Sequence, residues 1–113
     1  MFKKSQRLDR TAFTQYFKTG RRFQTTHLTL VYTPGVPLQV SSVVGKKVSK
    51  QAVGRNRVRR RIYAATKRFS AIQTDMTGIH IIIAKPTAAK ITRLALAAET
   101  AELLALAHPP KAR

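Results

Sequence analysis

The order of periodicities along these 113 residues predicts an α/β (α+β) two-layer sandwich, with three helices packed on a small mixed sheet. Helical spacing opens the chain, two extended segments follow, and a helical, an extended and a last helical segment complete it. Segment 78–84, Gly-Ile-His-Ile-Ile-Ile-Ala, is apolar on both faces apart from His80, the pattern of a central strand covered on at least one side. The length and an apolar fraction of 43% suit a single domain with a modest core. That domain is expected to span 1–113, with a basic arm over 1–7 and a tail over 108–113.

The first helix is expected over 10–18. Asp9 can accept from its free amides, Lys18 suits the negative end of its dipole, and Gly20 offers a left-handed stop. Phe13 and Phe17, four apart, share one face with Tyr16 beside them. Residues 23–33 read as extended, and Leu28, Leu30 and Tyr32 fall on one side of that strand. Pro34-Gly35-Val36-Pro37 is a turn signal, and 38–44 resumes as a second strand, so the two are expected to pair as a hairpin. A basic loop over 45–54 leads into a long helix over 55–70. Lys85-Pro86 ends the apolar strand. The last helix, over 92–107, is expected to bury Leu94, Ala98, Ala101 and Ala105, a stripe broadened by Leu103, Leu104 and Leu106; Pro109-Pro110 stops it.

The long helix carries the functional signal. On a helical wheel Val58, Ile62, Ala65, Phe69 and Ile72 form the face expected to be buried. Opposite lie Asn56, Arg60, Tyr63 and Lys67, with Arg57, Arg61 and Arg68 on one flank and Arg59 on the other. Between Lys46 and Arg68 stand ten Lys or Arg residues and no acid. Like charges one turn apart repel, so an ordinary solvated face would mix both signs. The chain as a whole has 22 basic and four acidic side chains, a net charge of +18 and a pI near 11.7. A polyanion is the partner such a surface requires, and nucleic acid is the commonest one. Guanidinium groups grip phosphate with two nitrogens at once, and the free amides at the helix start attract a phosphate near Gly54 to Arg57.

Other classes are excluded or disfavoured. There is no cysteine for a disulfide or thiolate site. No apolar run reaches the ~18 residues of a spanning helix, and no signal-peptide pattern opens the chain. The expectation is a cytoplasmic protein with no membrane partner and no small-molecule substrate. His27, His80 and His108 join no carboxylate pair, and Asp9 and Asp75 suit caps or turns. No protein-borne catalytic residue or metal site is therefore expected.

The run Gly45-Lys46-Lys47-Val48 followed by Ala52-Val53-Gly54-Arg55-Asn56-Arg57-Val58-Arg59-Arg60 resembles the signature of the bacterial ribonuclease P protein subunit family. The wider chain resembles it too, in the basic opening Lys3-Lys4-Ser5-Gln6-Arg7-Leu8, in Phe13 and Phe17, in Tyr32, and in Ile81-Ile82-Ile83-Ala84-Lys85-Pro86. The chain departs from the family pattern at Ser41, Gly45 and Tyr63-Ala64.

The resemblance implies a ribosomal-protein-like fold with a left-handed β-α-β crossover, and a subunit that cuts nothing itself. The RNA subunit, with Mg²⁺, would remove the 5′ leader of precursor tRNA, and the protein alone would bind no cofactor. Arg55, Asn56, Arg57, Arg59, Arg60, Arg61, Lys67 and Arg68 would face the ribonuclease P RNA. Phe13, Phe17, Tyr32, Val44, Lys46 and Lys47 would line a cleft for the leader. A structural, ribosomal-type RNA-binding protein without a processing role is the alternative from composition. A DNA-binding module fits less well, because apart from Asn56 the basic helix offers few base-reading amides.

Overall fold

The computed structural model describes residues 10–73 and 76–108. In chain order it contains helix α1 (Arg10–Thr19), strands β1 (Arg21–Gln24), β2 (Leu28–Thr33) and β3 (Gln39–Val43), and helix α2 (Ala52–Ile72). Strand β4 (Ile79–Ala84), a 3-10 turn (Pro86–Lys90) and helix α3 (Arg93–Ala107) complete it. The sheet order is β1-β2-β4-β3. β1 with β2 and β2 with β4 are antiparallel, whereas β3 and β4 are parallel and α2 bridges them as a β-α-β crossover. The mixed sheet and three helices match the expected class. The expected basic arm, the Asp9 cap, Asp75 and the Pro109-Pro110 stop lie outside the described residues.

The hairpin expected between 23–33 and 38–44 does not form. β4 inserts between β2 and β3, pairing Leu30 with Ile82 on one side and Ser42 with Ile82 on the other. β4 is buried at five of its six positions, so the strand with apolar groups on both faces takes the covered centre. The true hairpin is β1–β2, which begins at Arg21 and breaks the segment read as one strand at 25–27. The Pro34–Pro37 linker passes over the start of β4, where the Gly78 amide donates to the Val36 carbonyl (2.7 Å) and the Gln39 amide to the Gly78 carbonyl (3.1 Å). Gly78 has φ +103°, and a Cβ there would lie 2.6 Å from the Thr33 carbonyl oxygen, so only glycine fits this crossing.

Alternation sends side chains to two separate cores. Leu28 and Leu30 of β2, Ile82 and Ala84 of β4, and Val44 pack beneath Val58 and Ile62 of α2 and Leu96, Leu103 and Leu104 of α3. On the opposite face Val31, Ile79 and Ile81 form a smaller cluster covered by Phe13, Tyr16 and Phe17 of α1. The main sandwich is thus the sheet with α2 and α3, and α1 is an added cover on the far side.

Three local expectations are corrected. Ile72 is 87% exposed, because the buried stripe of α2 ends at half-buried Phe69 and gains Thr66, whose hydroxyl donates to the Ile62 carbonyl (2.8 Å). In α3 the buried set is Leu96, Thr100, Leu103 and Leu104, while Leu94, Ala98, Ala105 and Leu106 are exposed. A helix that is Ala or Leu at most positions carries little phase in its apolarity. Gly20 does not take a left-handed conformation. Its lack of a side chain serves close packing, since a Cβ would sit 2.5 Å from Val31 Cγ1.

Candidate nucleic-acid interface

The basic loop and the start of α2 are held as one unit. Val44 and Val48 anchor the loop in the main core, and the Val48 amide donates to the Gly45 carbonyl (3.1 Å). Arg55 turns back on the loop, its Nη1 donating to the carbonyls of Ser49 (3.0 Å) and Lys50 (2.8 Å). Gly54 permits this approach, for a Cβ there would lie 2.2 Å from Ser49 Oγ. Gln51 provides no side-chain cap, and the first turn contains no acid, so its positive dipole end is left for an anion. Lys46 and Lys47, both exposed, precede it.

From there the arginines divide by flank. Asn56, Arg57, Arg60 and Lys67 are exposed on the outer face of α2. Arg59 donates to Asn56 Oδ1, and Arg60 Nε makes a long contact with the Asn56 carbonyl (3.4 Å), ordering the face without neutralising it. Tyr63, expected to point outward, is half-buried against β3, where its hydroxyl accepts from the Ser42 amide (3.2 Å). β3 is the edge strand, so this contact closes a backbone donor that would otherwise be open to another strand. Arg61 and Arg68 turn to the other flank, towards α3.

The expected cleft residues separate. Phe13 and Phe17 are half-buried and stacked (centroids 5.6 Å apart), and the Arg22 guanidinium lies 4.9 Å from the Phe17 ring centroid. Thr29, Ser41, Val43 and Ile83 lie half-buried on the same sheet face as this cluster, beside the part that α1 covers. Tyr32 and Val44 are not there. Tyr32 shares its side with Leu30 and packs against His80 and His108 (centroids 4.9 Å to each), and Val44 lies beneath α2. Alternation assigned Tyr32 a side correctly, but α1 covers the other one.

Several other polar groups are satisfied internally, while the buried hydroxyls of Thr33 and Ser42 have no hydrogen-bond partner. Glu99 accepts from the Thr25 hydroxyl, the His27 amide and His27 Nδ1, each at 2.7 Å, and Lys85 Nζ donates to the Thr25 carbonyl (2.7 Å). Burial raises the Glu99 carboxyl, but these hydrogen bonds more than offset it and leave it below the ordinary value. His80, fully buried, is lowered to about 4 by desolvation and then by His108. Its Nδ1 donates to the Gly78 carbonyl (3.1 Å), so neutral His80 accepts at Nε2 from His108 Nε2–H (2.8 Å). Neither contact was visible in the sequence, since 72 and 28 residues separate the partners. Among the described residues the only ion pair is His27–Glu99, and no three His, Cys, Asp or Glu side chains gather as metal ligands. No described helix is long and apolar enough to cross a membrane.

Known proteins share both the sequence pattern and this architecture. A Synechococcus sp. (strain JA-2-3B'a(2-13)) protein named Ribonuclease P protein component is 45% identical over 60 residues, covering 48% of this chain and 45% of that protein. The protein of the same name from Synechococcus sp. (strain JA-3-3Ab) is 47% identical over 56 residues, covering 44% of each. The aligned parts thus span under half the length of these curated relatives. The fold matches the RNase P protein of Staphylococcus aureus with a TM-score of 0.74 at 19% identity, covering 92% of this chain and 96% of that one. It matches the RNase P protein of Thermotoga maritima at 0.73 and 18%, covering 94% and 98%. The sequence pattern of the family described as Ribonuclease P extends over residues 2–108, arm, loop, basic helix and last helix together, and the chain belongs to that family.

Proposed function

We propose that the chain acts as the protein subunit of a cytoplasmic ribonuclease P ribonucleoprotein. The outward side of α2, with Asn56, Arg57, Arg59, Arg60 and Lys67, binds the RNA subunit together with the loop at Lys46 and Lys47. The face beside Phe13 and Phe17 receives the single-stranded 5′ leader of precursor tRNA, because ring stacking tolerates any base sequence. The observation that carries this reading is the unneutralised arginine face of α2, held rigidly by its apolar side on the sheet.

Hydrolysis belongs to the RNA and its Mg²⁺. On the protein, Glu99 is committed to Thr25 and His27. The protein residues bind, orient and neutralise phosphate charge.

The experiment is titration of a ribonuclease P RNA transcript with the wild-type protein and with Arg57→Ala plus Arg60→Ala across a salt series. Loss of two phosphate contacts is expected to weaken binding roughly 10- to 100-fold and to flatten the salt slope by about two units. Unchanged affinity and slope would remove this assignment of the face. Restoration of leader cleavage by the wild-type protein at low Mg²⁺ separates this role from that of a structural RNA-binding protein.

A further inference from the structure

A groove between α2 and α3 borders the RNA-binding face at Arg60, and its other walls have no part in the function described so far. The two helices run side by side in the same direction, with Arg61 near Arg93 at one end and Gln73 Nε2 reaching the His108 carbonyl (3.5 Å) at the other. Alanines at 97, 98 and 101 keep the seam shallow and open. At its start lies a cavity of about 290 Å³ whose charged walls are all arginine: Arg60, Arg61 and Arg68 from α2 and Arg93 from α3. None of these four has an ion-pair partner among the described residues. The cavity continues into a second one of about 270 Å³ with an apolar lining that includes Phe69 and Ile72. Arg68 and Ala97 line both halves, and Leu94 (74% exposed) and Ile72 (87% exposed) mark the ends.

Four arginines around one cavity without an acid repel one another unless an anion sits between them. The first turn of α3 also has no acid, and its dipole adds to the same field. An apolar shelf directly beside an arginine-lined cavity roomy enough for a phosphate matches the two chemical halves of one nucleotide. Unpaired RNA offers that combination, with its base free to leave the stack and its phosphate attached.

We propose that this groove binds an unpaired nucleotide of the partner RNA, with a backbone phosphate among Arg60, Arg61, Arg68 and Arg93 and the adjoining base on the apolar half. The proposal rests on α2 being the RNA-binding face and extends that face onto α3. Arg93, which the sequence reading did not single out, becomes a binding residue.

The test compares Arg93→Ala, Lys90→Ala and Ala97→Leu with the wild-type protein in titrations of a ribonuclease P RNA transcript across a salt series, with thermal melts as a folding control. Arg93 and Lys90 are exposed, so both variants are expected to fold. Arg93→Ala is expected to weaken binding about fivefold to tenfold and to flatten the salt slope by about one unit. Lys90→Ala removes the same charge outside the groove and is expected to change affinity less than twofold. Ala97→Leu, which fills the shared wall, is expected to weaken binding about fivefold with the slope unchanged, as for a lost base contact.

Equal losses for Arg93→Ala and Lys90→Ala would overturn the proposal in favour of diffuse charge. No loss for Arg93→Ala, while Arg57→Ala, which lies outside the groove, weakens binding, would overturn the groove and leave the outer face standing. A folded Ala97→Leu variant with wild-type affinity would overturn the base half of the proposal.

Discussion

Glu99 and Arg57 are both charged side chains on helices, and their surroundings are opposite. Glu99 is pressed against the β1–β2 turn, where three donors meet its two oxygens at 2.7 Å. Arg57 stands exposed on a face whose neighbours are other arginines. A charge with its partners inside the protein stabilises the fold, and a run of charges without partners weakens it unless another molecule supplies them. The same contrast separates the His80–His108 contact in the interior from the α2–α3 groove. The satisfied set positions α3 and the sheet, whereas the unsatisfied set is the side turned to a ligand.

Perturbing the satisfied set should therefore cost stability with little effect on RNA affinity per folded molecule. The largest effect is expected from acid. His80 is held neutral well below its ordinary value of 6.5, at about 4. The unfolded chain binds the proton more readily, so the stability associated with neutral His80 is complete above pH 6.5 and lost as pH falls to about 4. The loss is about 3 kcal/mol across that window. Urea denaturation from pH 7 to 4 measures it, and His80→Leu should flatten the curve between pH 6.5 and 4.5. A His80→Leu protein that kept the full slope would assign it to other groups. Below pH 4.5 the wild type should also lose the contribution of Glu99, whose folded value is depressed.

Next in size is Glu99→Ala, which strips the β1–β2 turn of its acceptor and should cost about 2 kcal/mol at neutral pH. Chemical denaturation checks it, and an RNA salt slope unchanged from wild type would sharpen the contrast with Arg57. Phe13→Ala and Phe17→Ala bear on the opposite sheet face. Each should weaken binding of leader-bearing precursor tRNA about fivefold relative to mature tRNA, in line with loss of a stacking contact. Equal weakening of the two substrates would make these rings cover for the Val31–Ile79–Ile81 cluster and nothing more. The smallest effect is expected for Tyr63→Phe, which frees the Ser42 amide at the sheet edge and should cost about 0.5–1.5 kcal/mol in a thermal melt.

Much of this contrast was legible in the residues, unevenly. The helix spacing of Val58, Ile62 and Ala65 placed the basic face outward, because a 3.6-residue period ties each buried position to an exposed one. The apolar run 79–84 announced a central strand for the same reason of local pattern. Tyr63 escaped the wheel because its hydroxyl reaches round to the edge of β3, which position on a helix does not reveal. Tyr32 was assigned its correct side, yet the side lacks α1, since alternation separates two faces without saying which helix covers either. Arg93 gave no signal as an isolated cation, and it acquires meaning only where α3 lies along Arg61 and Arg68.

By itself the sequence determined the three helices, the central strand, the acid-free basic run from Lys46 to Arg68 and the Arg55-Asn56-Arg57 signature, because these depend on neighbours a few positions apart. Strand order, the separation of Tyr32 and Val44 from Phe13 and Phe17, the His27–Glu99 and His80–His108 contacts and the α2–α3 groove were decided by tertiary structure. Those contacts join groups tens of residues apart, and which of them form depends on how β4, apolar on both faces, claims the centre of the sheet.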